Sequence, residues 1–592
     1  MKFFINLKIF IKEHHLIIAL SFLLTILIFA PLFVFPLVAK NEYQGLNINW
    51  FGTDAHFYLT KGKEILDGNA LASPVLREGK DGSDPYVSYS EYILLTPIKL
   101  LGLAQRVDIT TIYNIYAFIS SFFIVILIYF LVLQLSGRKL LSIAAALFVV
   151  GGYSLIYYKT LFYTNFNIYA RVIYPFFSSL VLFVYLNFLV KSLNSKKLKY
   201  KILAGVFFGL LFYVYFYAWS FVLALNGCLF LILSLKRDFF SAKKVLLISS
   251  IGLTLGIYNL INLFSSPLAE SGNQMTYFLW VIYSHGPVFS KIGLITLAIF
   301  AVYYYKRRDD KNWPLILAII LSGWISLNQQ IITGRMVQYG HYYWYFIVPL
   351  SIVISFYMIW GLVNNKKLRK YLFLFLIAVA FINTIGGQYK SFWITFDVKK
   401  YEQNFRPLID VLNKEPVPTV VLMSDANAYL ITIYTPHDLF WHGVATISNI
   451  PEQRLKDALF VYTYLNQEAT DDFAGYLEKI SIGNESKDNL YRNLYRNLEG
   501  LWSGFDYYIY RNKLNSNDSE IIQKRPEIIN RLNEEYNKIM INNNGIDVLL
   551  KKYGVKYIVW DKNKNPEWDL SSLQNLKEIV CSNNICLYNL VN

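Results

Sequence analysis

The residues with most chemistry to offer gather in short polar stretches between long apolar ones. The segment Asn49-Trp50-Phe51-Gly52-Thr53-Asp54-Ala55-His56-Phe57-Tyr58 sets a carboxylate and an imidazole two residues apart, and Leu59 to Gly68 reads as an amphipathic helix lying on a surface. Asp54 stands where that helix starts, so Thr53 or Asp54 fits a plain N-cap with Asp67-Gly68 as the stop. A carboxylate so placed also has the chemistry of a general base. His56 either orients a substrate or is a polar residue on a wet helix. Asp84 and Glu91 offer a second carboxylate contribution or a pair of oxygen ligands, which a loop sequence does not fix. Polar groups recur at Lys159, Asn165, Asn167 and Arg171, at Glu270, Gln274 and His285, and between Asn328 and His341, a stretch that includes Arg335. Tyrosine and tryptophan interleave them. Together they describe a polar pocket at the edge of an apolar body, suited to a substrate with a polar head and a lipid tail. An ordinary interfacial belt has the same composition.

The elements that must hold these residues are apolar. Of 592 residues 55% are hydrophobic and 16% charged, well under the roughly 25% charged content of soluble proteins, which excludes a single soluble domain. The net charge of +16 is unevenly placed: residues 387–592 carry 23 basic and 26 acidic residues, and the first 386 carry 33 and 14. A basic surplus confined to the apolar half argues against nucleic acid as a partner. Apolar runs at 16–38, 112–133, 140–158, 171–190, 202–216, 219–235, 245–263, 288–305, 313–332, 344–362 and 371–386 predict a polytopic α-helical membrane protein of about 11 transmembrane helices. Alternate connections hold 22 basic residues, against Lys159, Arg171 and Arg335 alone on the opposite short ones. This bias predicts a plasma-membrane protein with a cytoplasmic N-terminus and an extracytoplasmic C-terminal domain. The stretch Leu203 to Leu235 is too long for one span, and two helices are expected to meet near Tyr217 to Trp219. The first span reads as a signal anchor, since no small-residue cleavage site follows it.

The expected division is a multi-pass domain over 1–386, with a first outer loop at 40–110, and an extracytoplasmic α/β domain over 387–592. The loop holds nine of the 14 acidic residues of the apolar half. In the second domain Val417 to Met423 and Val555 to Trp560 read as buried strands, and Leu576 to Cys581 with Ile585 to Leu590 as a closing hairpin. Cys581 and Cys586 face each other across that hairpin, where a disulfide fits better than zinc, there being no nearby His. The tandem Tyr-Arg-Asn-Leu at 491–498 is too short for a repeat. Between Ile112 and Gly386 the acidic residues are Asp238, Glu270, Asp309 and Asp310, all expected in loops, so an ion-coupled carrier lacks its carboxylates. No phosphate-loop motif supplies an ATP motor. The seven histidines do not face one another at mid-membrane depth as haem ligands would.

The pattern Asp-x-x-x-Tyr-…-Ile-Leu-x-Gly that opens at Asp54 resembles the first outer loop of GT-C glycosyltransferases, the superfamily of protein O-mannosyltransferases, aminoarabinose transferases and oligosaccharyltransferases. The stretch from Asp84-Pro85-Tyr86 to Leu100-Leu101-Gly102 is similar to the Pro-containing apolar segment that ends that loop. Val420 to Asp425, Tyr434-Thr435-Pro436-His437 and Leu549 to Val559 resemble the outer α/β domains of such prokaryotic proteins, and Asn328 to His341 resembles a segment of uncharacterised members. The resemblance implies a GT-C-like fold. It also implies transfer of a sugar from a polyprenyl phosphate or diphosphate donor to a glycan, lipid or protein acceptor of the cell envelope. Asp54 would be the general base, usually with inversion at the anomeric carbon. Lys159, Arg171, Arg335 and His341 would be candidates to hold the departing phosphate, with His56, Asp84 and Glu91 as further substrate-binding candidates. No cofactor is called for, and the sequence does not support a divalent metal. The Trp-Trp-Asp acceptor motif of oligosaccharyltransferases is absent, the nearest string being Trp502-Ser503-Gly504-Phe505-Asp506. The alternatives are a polytopic protein that carries or flips a lipid-linked glycan, and an envelope assembly protein.

Overall fold

A computed structural model of the chain describes residues 2–47, 50–52, 54–69, 73–80, 88–104, 106–265, 282–447, 450–482, 490–504, 519–541 and 545–591. Each expected span falls on a helix: α1 (Lys2–Ala39), then, after the loop helices α2 (Ala55–Asp67) and α3 (Ser90–Leu100), α4 (Ile109–Ser136) and α5 (Lys139–Gly151), the last continued by the short α6 (Tyr153–Tyr158). There follow α7 (Phe176–Asn194), α8 (Leu198–Val214), α9 (Phe216–Leu235), α10 (Phe239–Ser265), α11 (Lys291–Lys306), α12 (Trp313–Leu327), α13 (Val348–Leu362) and α14 (Lys366–Glu402). Among the described residues, eight helices are long and apolar enough to cross a membrane by length and composition. Those eight take α12 and α13 together with the helical turns beside them, as Trp313–Thr333 and Gly340–Leu362, whereas α5, α8 and α11 have 13, 17 and 16 residues. The chain is a multi-pass helical membrane protein.

Helix α8 lies backbone-close against α10. A Cβ on Gly205 or Gly209 would stand 2.6 Å from the Cβ of Ile251 or Leu255, and Gly252 and Gly256 of α10 receive Phe208 and Phe212 in return. Two small-xxx-small faces therefore interlock, the packing that helices use where lipid supplies no hydrophobic drive. The junction of α8 and α9 is at Tyr215, two residues before the expected Tyr217 to Trp219, with φ −162 and ψ 124 there. The break leaves the Val214 carbonyl without a helical partner. It accepts from the hydroxyls of Ser90 at 2.8 Å and Tyr174 at 2.7 Å, so the first long loop is fastened to the bundle at that break.

At one end of the bundle the basic connections interlock. Lys139 donates to the Glu13 carbonyl, Lys244 to that of Leu193, Lys311 to Asn194 and Arg307 to the Gly361 carbonyl. The first long loop and the C-terminal domain share the other end. α14 runs unbroken for 37 residues from the bundle into that domain, so position 386/387 lies inside a helix. In chain order the strands are a two-residue ribbon, β1 (Ile282–Tyr283) with β2 (Arg335–Met336), then β3 (Val420–Met423), β4 (Asp438–Leu439), β5 (Val555–Asp561), β6 (Leu576–Ser582) and β7 (Ile585–Leu590). The last five form one sheet in the order β4-β3-β5-β7-β6, parallel among β4, β3 and β5 and antiparallel beyond. Asn583 and Asn584 turn the hairpin with φ of +52 and +62, the left-handed pair a two-residue turn needs. Cys581 and Cys586 pair across it and are disulfide-bonded.

The first long loop is built into the C-terminal domain. Val75 and Leu76 are buried in its core, and the Val75 carbonyl accepts from Leu439 N–H at 2.8 Å. Gln403 Oε1 accepts from the amides of Gln44 and Leu46. Lys80 bridges Glu64 of α2 at 2.9 Å and Asp438 of β4 at 2.6 Å. Burial works against that ammonium, but Asp438 and then Glu64 outweigh it and raise its pKa. The domain thus grips α2, the helix that begins at Asp54.

A second clamp on α2 is internal to the loop. Lys61 and Glu91 form an ion pair at 3.4 Å with side chains 2% and 0% exposed, joining α2 to α3. Removing one partner of a buried pair strands the other charge, at about 3–5 kcal/mol. Glu91→Ala is therefore expected to lower the melting temperature of the detergent-purified protein by several degrees, read by intrinsic fluorescence. An unchanged melting curve would deny Glu91 this structural part.

Candidate active site

Gly52 brings the chain into the site with φ +143, a conformation open to glycine but strained for other residues. Asp54 follows at the N-cap position of α2, yet its side chain makes no capping hydrogen bond. Its Oδ2 instead accepts from Arg171 Nη2 at 2.7 Å. The carboxylate is 59% exposed and the arginine 23%, so the acid faces solvent with the guanidinium behind it. Arg171 is delivered by the turn that follows Asn167, whose side chain caps that turn and bonds the Val150 carbonyl at the end of α5.

Around the guanidinium stands an aromatic wall. Arg171 Nη1 donates to the Tyr345 hydroxyl at 3.4 Å. Tyr345 and Tyr215 flank the imidazole of His341, whose Nδ1 shares a 2.6 Å hydrogen bond with the Tyr215 hydroxyl. Tyr215 stacks on Tyr174 with ring centroids 4.2 Å apart, and Tyr174 meets Tyr58 edge-on. The Arg171 pKa is raised, most by the Tyr345 oxygen, against the opposition of burial and with a further contribution from Asp54. A cation fixed by its neighbours in this way can turn its remaining N–H groups to an anionic ligand.

The structure thus joins Asp54, Arg171 and, through Tyr345 and Tyr215, His341. It does not join the others to this group. His56, on the first turn of α2, points to the C-terminal domain and packs on Tyr429 and His442 at 5.4 Å each. Glu91 is enclosed with Lys61. Lys159 is exposed at the end of α6, and Arg335 is exposed on the ribbon strand β2. Asp84, Thr53, Glu270 and Gln274 lie outside the described residues. Sequence reasoning quoted Tyr58 only as part of the pattern that opens at Asp54, and it missed Tyr174, Tyr215 and Tyr345. With 47 tyrosines in the chain, residue type carried no signal for those three.

Behind Arg171 a cavity of about 130 Å³ opens between the end of α5, α6, the turn carrying Asn165 and Asn167, Trp344 and the segment Asn383 to Gln388 of α14. Phe51, Gly52 and Arg171 also line it. Carboxylate, guanidinium and cavity are therefore contiguous, which is the arrangement needed to deprotonate one group while a negative charge is held beside it. Among the described residues, the only cluster with the geometry of metal ligands is Glu578 with Cys581 and Cys586, and those two sulfurs are spent in the disulfide.

No family model matches the chain, and no curated protein matches it. Among solved structures it is similar to ArnT from Cupriavidus metallidurans bound to undecaprenyl phosphate, at 10% identity and TM-score 0.46, over 72% of this chain and 86% of that one. It is also similar to the Archaeoglobus fulgidus oligosaccharyltransferase tethered with an acceptor peptide, at 12% identity and TM-score 0.46, over 93% of this chain and 69% of that one. The apo form of the same enzyme gives 11% and 0.42.

Proposed function

We propose that the protein is an integral membrane glycosyltransferase that moves a sugar from a polyprenyl phosphate or diphosphate to a glycan, lipid or protein acceptor at the outer face of the cell membrane. The observation that carries this reading is the pairing of Asp54 with Arg171, which lines a cavity of aromatic and polar side chains, on an otherwise apolar helix bundle. The asymmetry of basic residues supports an outer position for this end of the bundle. The Cys581–Cys586 disulfide supports an oxidising compartment for the domain beside it.

In this reading the acceptor hydroxyl oxygen attacks the anomeric carbon, the bond from that carbon to the phosphate oxygen breaks, and the hydroxyl proton passes to Asp54. Arg171 donates to the phosphate oxygens as their charge grows, with the fork geometry suited to them. Without donor, Asp54 occupies Arg171. An exposed ion pair is worth about 1 kcal/mol or less, so an arriving phosphate displaces the carboxylate and leaves it free to act as base. His341 and Tyr345 keep the guanidinium in place from behind.

Gly52 tests the alignment. A Cβ there would stand 3.1 Å from Arg171 Nε and 3.3 Å from its Cγ. Gly52→Ala is expected to push the guanidinium aside and lower turnover about 10²-fold, the cost of an ångström-scale misplacement, with the protein still monodisperse in detergent. Turnover at the wild-type level would show that the contact does not matter.

The reading as a whole is tested in membranes that contain the overexpressed protein or an empty vector, supplied with polyprenyl phosphates carrying different radiolabelled sugars. Label is expected to leave at least one donor only where the protein is present. No transfer from any donor would remove the proposal.

A further inference from the structure

The helices α1 and α14 run side by side in the same direction. Gln388 Nε2 of α14 donates to the Ile28 carbonyl of α1, and two turns further on Phe35 meets Phe396 with ring centroids 5.7 Å apart. Twenty-seven residues separate Glu13 from Lys40 along the first of these lines, and the same number separates Lys370 from Asp397 along the second. At 1.5 Å per residue each interval between charges is about 40 Å, close to the roughly 40–45 Å of a bilayer with its headgroups. The outward faces stay apolar almost to the upper charges: Phe33, Leu37 and Val38 are exposed on α1, and Tyr389, Trp393 and Ile394 on α14. On this match the bilayer extends about three turns past residue 386, where the apolar run of the sequence stops.

Lys390 lies on that exposed face of α14. Its Cα is about 10 Å below Asp397 at the helix rise, and so beneath a headgroup layer of roughly 5–7 Å. Among the described residues its ammonium makes no hydrogen bond and no ion pair, and Asp397, two turns above on the same face, does not reach it. Its one contact is the Phe162 ring, with the centroid 5.6 Å away. That ring lies on the backbone of Gly386, one turn further into the bilayer, so the ammonium is turned away from the headgroups. The Phe162 N–H donates to Asn383 Oδ1 at 3.2 Å, and Tyr163 stacks on Tyr158. Asn383 and Tyr158 line the cavity that holds Arg171. Lys390 therefore stands just outside the wall that Phe162 and Tyr163 close against α14.

An unpaired charge at such a depth is costly and calls for a partner. We infer that Lys390 is a docking site for a phosphate carried on a lipid, on the membrane side of the cavity wall. A lipid phosphate is the anion native to that level of a bilayer, and the neighbouring Tyr389 and Trp393 are the side chains that settle among headgroups. This goes beyond the donor reading and holds whether or not transfer takes place.

Two measurements decide it. A bimane on Lys390→Cys, in the full chain reconstituted in liposomes, is expected to be quenched by lipids with a nitroxide high on the acyl chain and not by aqueous iodide. A bimane on Lys414→Cys, at an exposed position of the C-terminal domain, is expected to show the reverse. Iodide quenching as strong at 390 as at 414 overturns the proposal. Binding of radiolabelled polyprenyl phosphate, and separately of phosphatidylglycerol, is then compared in detergent-purified wild type, Lys390→Met, Lys390→Arg and Lys414→Met. Lys390→Met is expected to bind at least one of the two lipids fivefold or more weakly, in the Arg171→Met background as well, with Lys390→Arg and Lys414→Met near the wild type. A loss for both lipids marks a general phosphate site, and a loss for one alone marks that lipid as its occupant. Unchanged binding of both in Lys390→Met, or an equal loss in Lys414→Met, overturns the proposal. If the wild type does not bind polyprenyl phosphate, the donor reading falls and the phosphatidylglycerol arm decides by itself.

Discussion

Asp54→Asn is expected to cut sugar transfer by about 10³-fold, within the range a positioned general base supplies, while donor affinity stays near the wild-type value. The reason is local. The carboxylate caps no helix end, so the amide leaves α2 intact, and its ion pair with Arg171 is exposed enough that losing it costs about 1 kcal/mol or less of stability. Besides the charge of that exposed pair, what disappears is the ability to take a proton. Steady-state kinetics separate the cases: kcat falls with KM little changed if Asp54 acts on the reacting hydroxyl, whereas a rise in KM at constant kcat would make it a binding group.

Arg171→Met is expected to damage binding and catalysis together. The guanidinium is the one cation among the described residues that line the cavity, and its removal takes away both the hold on the donor phosphate and the stabilisation of charge as that phosphate leaves. A loss of about 10²–10³-fold in kcat is the usual cost of one such donor, accompanied here by a rise in KM. Arg171→Lys should recover part of the affinity and less of the rate, since an ammonium restores charge without the planar fork that reaches Tyr345 and Asp54 at once. Kinetics of the two variants side by side check this. If Arg171→Met kept the wild-type kcat, the leaving phosphate would have to be held elsewhere.

Where physics leaves a strong local signature, the sequence was readable. The helices were legible because lipid demands long apolar runs and the basic connections bound them. The closing hairpin was legible because Ser582-Asn583-Asn584 separates two strand-like runs. The α8–α9 junction was misplaced by two residues because neither glycine nor proline marks it: Tyr215 goes extended within an aromatic run, held by Ser90 and Tyr174 bonding to Val214 from far along the chain. In the site, Asp54 and Arg171 could be singled out as charges beside apolar helices. Their pairing could not, since 117 residues separate them. Lys159 and Arg335 carry the same charge and the same kind of neighbours as Arg171, and the loop path alone decides that they stand elsewhere. The cavity wall on α14 was invisible because Asn383, Thr384 and Gln388 look like the polar end of any span.

The most direct measurement is the fate of a doubly labelled donor, with one isotope in the sugar and another in the polyprenyl phosphate, given to the purified protein in liposomes with an envelope acceptor extract. The account predicts that the two labels part: sugar appears in the acceptor, phosphate stays with the lipid, and Asp54→Asn halts both changes. Labels that cross the bilayer together with the sugar–phosphate bond intact would contradict it, and would make the protein a carrier.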